Sequence, residues 1–517
     1  MSHAVDTAAP VRRRSQWPAA VDGLVAGVLT VGLATLLGAV LDRLGLAGGQ
    51  PAPVAAVGGA FIDRTPPWLK DLAIAAFGTN DKRALLVGTV VLLAVVCAGV
   101  GLLAGRRLRP ALVAYAVVGA VGMLAVLSRP GAAPVDVVPT LVGTVVGLWF
   151  LQRSHQRAGR STASADAGPS RRWVLGGAVG GTAAYVGTLL GGTSAAAVAS
   201  RAAAPAPAVA TPLTIPVGAD LKVPGATPYV VPNDAFYRID TALVVPRLDA
   251  REWRLRVTGL VEREVEIDWA TLQREPMREA LVTLTCVSNE VGGDLAGNAV
   301  WTGWPVRELL AMARPLAGAD MVLQTSSDGW TCGTPLDVLT DDRNALLAVR
   351  MNGEPLPFEH GFPVRLVVPG LYGYVSATKW VTGLKVTTFA KDVGYWTPRG
   401  WSARGPIKTA SRIDVPRAGA TVPAGRVAVA GVAWAQHRGI SAVEVSVDEG
   451  PWQPARLAVD ASSDAWRQWV YEWDAPHGSH LLRVRATDGT GRQQITAEAP
   501  PAPDGATGLH TVPVTVE

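Results

Sequence analysis

Hydrophobic and polar positions divide the chain into two halves with different periodicities. Before about residue 200, apolar residues form long, nearly unbroken runs. A helix of about 20 such residues is long enough to cross a bilayer. We predict five spans, at 20–41, 84–104, 110–128, 135–151 and 173–197. Residues 1–200 are therefore expected to form a helical membrane region.

Arginine clusters alternate along these spans. They lie before the first span (Arg12, Arg13, Arg14), between the second and third (Arg106, Arg107, Arg109), and between the fourth and fifth (Arg153, Arg157, Arg160, Arg171, Arg172). Because basic loops stay in the cytoplasm, these three segments are predicted to face inward. An odd number of spans then places everything after about residue 200 on the extracytoplasmic side of the cell membrane.

The sequence SRRWVL, residues 170–175, stands before the weakly hydrophobic fifth span. It is similar to a twin-arginine export signal, and it also fits an ordinary basic anchor. A downstream domain that must fold around a cofactor before export would favour the export signal. These residues leave both interpretations open.

The pattern changes after residue 200. Residues 201–228 are rich in Ala, Pro and Val, which is typical of a linker. Short strand-like runs and helix-like pieces then alternate, which predicts an α+β domain over 229–403. The predicted strands are 253–257, 282–285, 321–325, 364–368 and 384–388, and the predicted helices are 270–274 and 306–313.

Residues 404–517 have a third pattern. VAVAGVAW, VEVSVDEG and WVYEWDAP alternate apolar with polar residues, and Gly, Pro and Asp turns separate them. This alternation predicts an immunoglobulin-like β-sandwich. The segment carries no titratable cluster that suggests chemistry, so a structural or dimerising role is expected. The fold class is therefore multidomain: membrane helices, an α+β domain and a sandwich.

Composition argues against several classes of function. The net charge is +5 and the isoelectric point about 9.2, but no dense Lys/Arg block lies on a predicted helix face, so nucleic-acid binding is not expected. The three cysteines form no CxxC and no spacing with histidine that suits a structural zinc site. None of the seven histidines lies in a predicted span, and there is no CxxCH, so no haem is expected.

Two stretches carry residues suited to chemistry. Cys286 ends a strand-like run and precedes a Gly-rich loop, where a backbone can approach a bulky ligand closely. A thiolate there would be a soft metal ligand or a nucleophile. In HGFPVR, residues 360–365, a His and an Arg precede the loop PGLYGYVSATKW, and Arg and Lys with backbone amides suit a phosphate. The alternatives are a cysteine that fills the core, a Cys286–Cys332 disulfide and a simple turn.

Four blocks together resemble the sulfite oxidase family of molybdopterin enzymes. They are TLTCVSNEVGG, WTGWPVRELL, MNGEPLPFEHGFPVRLVVPGLYGYVSATKW and the late YEWDAPHGSHLLRVRATDG. The resemblance covers about residues 228–517 and includes that family's C-terminal dimerisation domain. The membrane half has no counterpart in the soluble members and looks like an actinobacterial-type addition.

The resemblance implies a molybdenum-molybdopterin cofactor and a role for individual residues. Cys286 matches the cysteine whose thiolate binds molybdenum. The positions matching cofactor contacts are Asn233, Tyr237 and Arg238 in the segment that wraps the pterin, Thr325 and Ser326, His360 and Arg365 of HGFPVR, and Ser376, Ala377 and Lys379 in the loop that holds the pterin phosphate.

The departures from the family concern the substrate. The family's arginines after the cysteine, which hold an anion, are replaced by Ser288-Asn289-Glu290, and the arginine expected before Asn233 is Pro232. The active-site tyrosine aligns with Trp401, which is assigned with Cys286 to the catalytic group. Arg399 and Arg404 are candidates for restoring positive charge. The enzyme is expected to differ from a standard sulfite oxidase.

The resemblance therefore predicts a membrane-anchored oxidoreductase that transfers an oxygen atom and two electrons. Without a haem signature, electrons are expected to pass to or from a separate membrane cytochrome or quinone-linked protein. A homodimer through the C-terminal domain is also expected. The alternative is a non-enzymatic extracytoplasmic binding protein with a degenerate cofactor domain, which the intact Cys286, His360 and Arg365 disfavour.

Overall fold

The computed structural model describes residues 17–66, 69, 76, 81–160, 171–191 and 195–517. The chain divides into two compact units, Met1–Ser194 and Ala195–Glu517. The first is helical and the second is built mainly from four β-sheets. The first arginine cluster, residues 12–14, lies outside the described residues.

Most of the described helices of the first unit follow the unbroken apolar runs. They are α1 (Trp17–Arg43), α2 (Pro53–Arg64), α3 (Asp81–Arg106), α4 (Leu108–Leu127), α5 (Val138–Arg160) and α6 (Arg171–Gly191). In the described part of the chain, five helices are long and apolar enough to cross a membrane, as predicted. The helix α2, in the loop between the first two spans, was not predicted, and α6 ends before the expected residue 197.

Glycines let these helices approach closely. A side chain at Gly32 of α1 would clash with the carbonyl oxygen of Gly180 in α6, and one at Gly23 would clash with that of Cys97 in α3. Small residues at such crossings favour helix association inside a bilayer. One polar contact fixes the start of α6, because Trp173 donates a hydrogen bond of 2.7 Å to Asp22 of α1.

Two sheets form the first part of the second unit. One has the strand order β1-β4-β5-β8-β10, with β9 paired to β8: β1 (Val209–Thr211), β4 (Met277–Thr285), β5 (Ala296–Pro305), β8 (Leu346–Met351), β9 (Glu354–Pro355) and β10 (Arg365–Val367). The other has the order β3-β2-β11-β6-β7: β2 (Arg254–Gly259), β3 (Val265–Asp268), β6 (Met321–Ser326), β7 (Thr331–Pro335) and β11 (Val381–Thr387). Short helices connect the strands: α8 (Trp269–Leu272), α9 (Val306–Ala313) and α10 (Leu336–Thr340).

The segment 201–228, expected to be a linker, lies along this unit. It follows helix α7 (Ala195–Ala202) and contains β1, which pairs in parallel with β4. Arg201 donates to the carbonyl oxygen of Leu356 at 2.7 Å, and the backbone N–H of Leu213 donates to Glu279 at 3.0 Å. These contacts attach the segment to the sheet that carries Cys286.

Two further sheets form the C-terminal part. One has the order β12-β14-β18-β17: β12 (Ala410–Val415), β14 (Gly425–Trp434), β17 (Arg456–Leu457) and β18 (Arg467–Ala475). The other has the order β13-β20-β19-β15-β16: β13 (Ala420–Val422), β15 (Ile440–Val447), β16 (Gln453–Pro454), β19 (Gly478–Asp488) and β20 (Thr511–Val516). Apolar residues of both sheets share one core, which includes Trp469, Val445 and Val484. The immunoglobulin-like assignment stays a prediction.

The C-terminal sheets also support the strand that ends at Cys286. Gln436 is fully buried and donates to the carbonyl oxygen of Thr283 at 2.9 Å and to the hydroxyl of Thr285 at 3.0 Å. The backbone N–H of Trp466 donates to the Thr283 hydroxyl at 2.7 Å. Because buried polar groups are costly to leave unpaired, these bonds fix the end of β4 against the C-terminal part.

Candidate active site

Cys286 follows β4 directly and begins a tight turn. Its backbone N–H donates to Leu295 at 2.9 Å, and its carbonyl oxygen accepts from the N–H of Asn289 at 3.1 Å. The Asn289 side chain closes the loop by accepting from the N–H of Leu295 at 2.8 Å. The Cys286 side chain is buried, which raises the pKa of its thiol. All three cysteines are free thiols, so the alternative Cys286–Cys332 disulfide does not occur.

The HGFPVR block places His360 and Arg365 beside each other. Gly361 has a left-handed φ of 108°, and a side chain there would approach the Cα of Lys379 to 3.1 Å, so glycine is required for both reasons. Arg365 is 5% exposed, donates to the His360 carbonyl oxygen at 3.2 Å and lies 5.0 Å above the Trp301 ring. Burial lowers its pKa to about 10.

His360 is a buried neutral imidazole. Burial, with the charges of Arg365 and Lys379 beside it, lowers its pKa to about 4. Its Nε2 lies 3.1 Å from the carbonyl oxygen of Asn233, an acceptor, which places the proton on Nε2. The Phe236 ring packs edge-on against the imidazole, with centroids 5.5 Å apart. The side chain is therefore fixed in one tautomer.

Lys379 and Asp240 form a buried ion pair. Lys379 Nζ lies 2.5 Å from Asp240 Oδ2, and the side chains are 9% and 5% exposed. Nζ also donates to the carbonyl oxygen of Glu359 at 3.0 Å. Burial lowers the pKa of Lys379 to about 8 in spite of the carboxylate. Arg238 reaches the same Asp240 oxygen at 3.0 Å.

These residues meet in one cleft with about 930 Å³ of space among its lining atoms, part of it open to solvent. Polar, aromatic and small or aliphatic residues line it. The polar set is Asp240, Thr241, Cys286, Ser288, Ser326, Asp328, His360, Arg365 and Lys379, and the aromatic set is Phe236, Tyr237, Trp330, Tyr374, Trp380, Trp396 and Trp401.

Comparison with known proteins identifies the family. Residues 242–396 match the model of the oxidoreductase molybdopterin binding domain. The oxidoreductase YuiH of Bacillus subtilis, itself described as uncharacterized, is 34% identical over 157 residues, 30% of this chain and 76% of the relative. The chain belongs to the sulfite oxidase family of molybdopterin-dependent oxidoreductases.

Two further matches cover about half of the chain. Mitochondrial sulfite oxidase of Mus musculus is 30% identical over 321 residues, 53% of this chain and 58% of the relative. The chain thus spans little more than half the length of the mitochondrial sulfite oxidases. The sulfane dehydrogenase SoxCD of Paracoccus pantotrophus has 25% identity and a TM-score of 0.48, covering 56% of this chain and 84% of its own.

The cleft fits the molybdenum cofactor of this family. Its cations, Arg365 and Lys379, are buried, and in the described part of the chain Arg365 pairs with no carboxylate. A buried guanidinium without a counter-ion is costly, and an anionic group such as a phosphate would compensate it. Cys286 supplies a soft sulfur to the same cleft. No cluster of three or more His, Cys, Asp or Glu suited to a metal occurs among the described residues.

The structure brings most of the predicted site residues together. Those lining the cleft are Cys286, Trp401, Tyr237, Ser326, His360, Arg365, Ala377 and Lys379. The other four predicted site residues do not line the cleft. Asn233 bonds to His360 through its carbonyl oxygen, Arg238 pairs with Asp240, Thr325 lies within β6, and Ser376 donates to the carbonyl oxygen of Tyr372 at 2.9 Å. Their predicted cofactor contacts remain predictions.

The charged residues that the sequence analysis linked to substrate binding do not line the cleft. Arg399 stacks over the Tyr395 ring at 3.7 Å and Arg404 over the Phe389 ring at 4.9 Å, and neither lines the cleft. Glu290 is exposed and does not line it either. Sequence reasoning missed Asp240, Trp330 and Trp396. Asp240 belongs to no motif, and the one sequence signal for Trp396 was its position close to Trp401.

Proposed function

We propose that the chain is a membrane-anchored oxidoreductase that transfers an oxygen atom and two electrons at a molybdenum bound by Cys286. The single observation that carries the proposal is the meeting of Cys286, His360, Arg365 and Lys379 in one cleft of the matched domain. Cys286 lies far in sequence from the other three residues. A core cysteine that only fills space would not need to share a cleft with buried cations.

The chain's own residues would hold the cofactor and shape its surroundings. The cofactor supplies two-electron oxygen-atom chemistry when bound. Lys379 and Arg365 would bind its phosphate and pterin through charge-assisted hydrogen bonds. The neutral His360, with its proton on Nε2 toward Asn233, would contribute a fixed polar edge without adding charge. The aromatic side chains would exclude water from the metal.

We further propose that the cofactor domain faces the extracytoplasmic side. Five apolar helices precede it, and arginine clusters stand at alternate loops. Electrons would be exchanged with a separate redox partner, a membrane cytochrome or a quinone-linked protein. A homodimer through the C-terminal sheets is part of the same proposal.

The test uses the full chain purified in detergent from a host that makes the cofactor. Molybdenum and pterin are each expected at about one per chain, with oxygen-atom transfer to or from a substrate panel. Cys286→Ser should remove turnover. Cys332→Ser is the matched control, because Cys332 is a second buried thiol that does not line the cleft. Stoichiometric absence of molybdenum from folded protein would contradict the proposal.

Sulfite is expected to be a poor substrate. A small dianion needs fixed cationic donors, and Arg side chains provide the strongest. In the described chain, the cations that line the cleft are Arg365 and Lys379, both assigned above to the cofactor. Steady-state turnover of sulfite with kcat/KM on the order of 10⁴ M⁻¹s⁻¹ or more, the usual enzymatic range, would refute this expectation.

A further inference from the structure

Four of the aromatic rings that line the cleft are those of Trp330, Tyr374, Trp396 and Trp401, which we call the aromatic wall. Trp401 is central, with its ring centroid 5.9 Å from that of Tyr374 and 6.3 Å from that of Trp396. The three tryptophans are half-buried, so part of each ring remains accessible. The cofactor assignment uses none of these four residues.

Hydrogen bonds hold the wall in place. Tyr374 donates through its hydroxyl to the carbonyl oxygen of Ser402 at 2.7 Å, and the N–H of Ser402 donates to Pro503 at 2.9 Å. Gly405 is required nearby, because a side chain there would come within 2.7 Å of the Tyr374 ring. The Tyr374 hydroxyl is thus engaged with the backbone, and the wall presents mainly ring surface.

The wall offers no positive charge. The nearby arginines, Arg399 and Arg404, are stacked on Tyr395 and Phe389 and do not line the cleft. Among described residues that line it, acids (Asp240, Asp328) match cations (Arg365, Lys379) in number. A small anion bound against the wall would therefore lose hydration without gaining a partner, whereas an apolar body would bury surface on both sides.

We propose that the aromatic wall binds the flat, apolar body of a neutral organic oxide, an S-oxide or N-oxide, and that it determines substrate specificity. This proposal rests on the function proposed above. In the reducing direction a sulfoxide, two electrons and two protons give a thioether and water: the sulfur–oxygen bond breaks, sulfur is reduced, and the oxygen leaves as water. A one-electron donor protein would supply the electrons, and a reduced viologen replaces it in vitro.

The test compares three oxides on the full-length, molybdenum-loaded protein with reduced viologen as donor. They are methyl phenyl sulfoxide, dimethyl sulfoxide, which lacks the ring, and pyridine N-oxide, which keeps a ring but changes the oxide. Both ring-bearing oxides should have kcat/KM about tenfold above dimethyl sulfoxide, because a ring against aromatic neighbours gains both contact and burial. Trp401→Ala should lower kcat/KM for the ring-bearing oxides by about tenfold more than it lowers kcat/KM for dimethyl sulfoxide.

Two controls separate binding from folding. Trp452→Ala removes a half-buried tryptophan that stacks under Arg485 in the C-terminal part and does not line the cleft. It should leave the kcat/KM of each ring-bearing oxide relative to dimethyl sulfoxide unchanged. Trp401→Phe keeps an aromatic ring and should retain most of the preference for the ring-bearing oxides over dimethyl sulfoxide that Trp401→Ala loses. Calorimetric titration with methyl phenyl sulfone should show binding that weakens about tenfold in Trp401→Ala, with no turnover required.

The outcomes are distinguishable. If no oxide is reduced by protein that contains molybdenum and pterin, and no thioether is oxidised with ferricyanide, the proposed function fails. If dimethyl sulfoxide is reduced as well as methyl phenyl sulfoxide, or if Trp401→Ala lowers both equally, the oxidoreductase stands and the aromatic-wall proposal is overturned. Efficient turnover of sulfite would also overturn it.

Discussion

Lys379 is a buried cation, and replacing it with methionine should change how the stability of the apoprotein depends on pH. Its pKa is lowered from 10.5 to about 8, mainly by burial, although Asp240 lies 2.5 Å away. At 1.36 kcal/mol per unit, this shift corresponds to about 3 kcal/mol. The side chain is only 9% exposed, so solvent screening reduces that figure little.

The sign follows from proton binding. Between pH 8 and 10.5 the unfolded chain holds the Lys379 proton and the folded chain does not, so folding becomes more favourable as the pH rises. Wild-type apoprotein should therefore gain about 3 kcal/mol relative to Lys379→Met between pH 7 and pH 11. The variant should also retain less molybdenum cofactor, because it lacks the cation proposed to bind the phosphate.

The assay is urea unfolding of full-length apoprotein in detergent, followed by tryptophan fluorescence at several pH values. Subtracting the variant's free energy of unfolding from that of wild type removes the groups common to both. Lys391→Met, which removes an exposed lysine, is the matched control. Its difference from wild type in free energy of unfolding should hardly change with pH. A difference for Lys379→Met that is equally flat from pH 7 to 11 would refute the reasoning.

Three further predictions concern other parts of the molecule. Burial lowers the pKa of His360 to about 4, so as the pH falls below 6.5 the unfolded chain binds the proton before the folded chain does. His360→Gln apoprotein should therefore lose about 3 kcal/mol less stability than wild type between pH 7 and pH 4. The same dependence of urea unfolding on pH in both proteins would contradict this. Gln436→Leu removes two hydrogen bonds to the end of β4 and should lower the free energy of unfolding by about 2 kcal/mol; an unchanged urea midpoint would show that the C-terminal sheets do not support the strand. Changing Arg171 and Arg172 to Lys keeps the charge that faces Asp22, so a loss of protease-accessible cofactor domain in spheroplasts would show twin-arginine export, and normal accessibility would leave a simple anchor.

Periodicity revealed the five long apolar helices and part of the strands, because burial imposes it. The apolar runs before residue 200 correspond to α1 and α3–α6, and alternating runs correspond to strands such as β6 and β11. The strand β1 was missed within the Ala/Pro-rich segment 201–228, because its pairing with β4 depends on backbone hydrogen bonds that any residue can make. The resemblance alone indicated that Cys286, His360 and Lys379 would meet.

The electrostatics of the cleft could be predicted only in part. A sequence shows that a lysine lies in a loop, but not that Asp240, 139 residues away, buries its carboxylate beside it. In the same way, the sequence places Glu290 where the family has an anion-binding arginine, yet the turn after Cys286 leaves it exposed and outside the cleft lining. The aromatic wall draws its rings from three separate loops, and their approach depends on tertiary packing.

X-ray absorption at the molybdenum K edge tests the central claim most directly, because it counts the sulfur atoms bound to the metal. Purified wild-type protein and the Cys332→Ser control should show the same number of sulfur neighbours. Cys286→Ser, loaded with cofactor and folded by circular dichroism, should show one fewer. An unchanged sulfur count in Cys286→Ser would contradict the assignment of Cys286 as the molybdenum ligand.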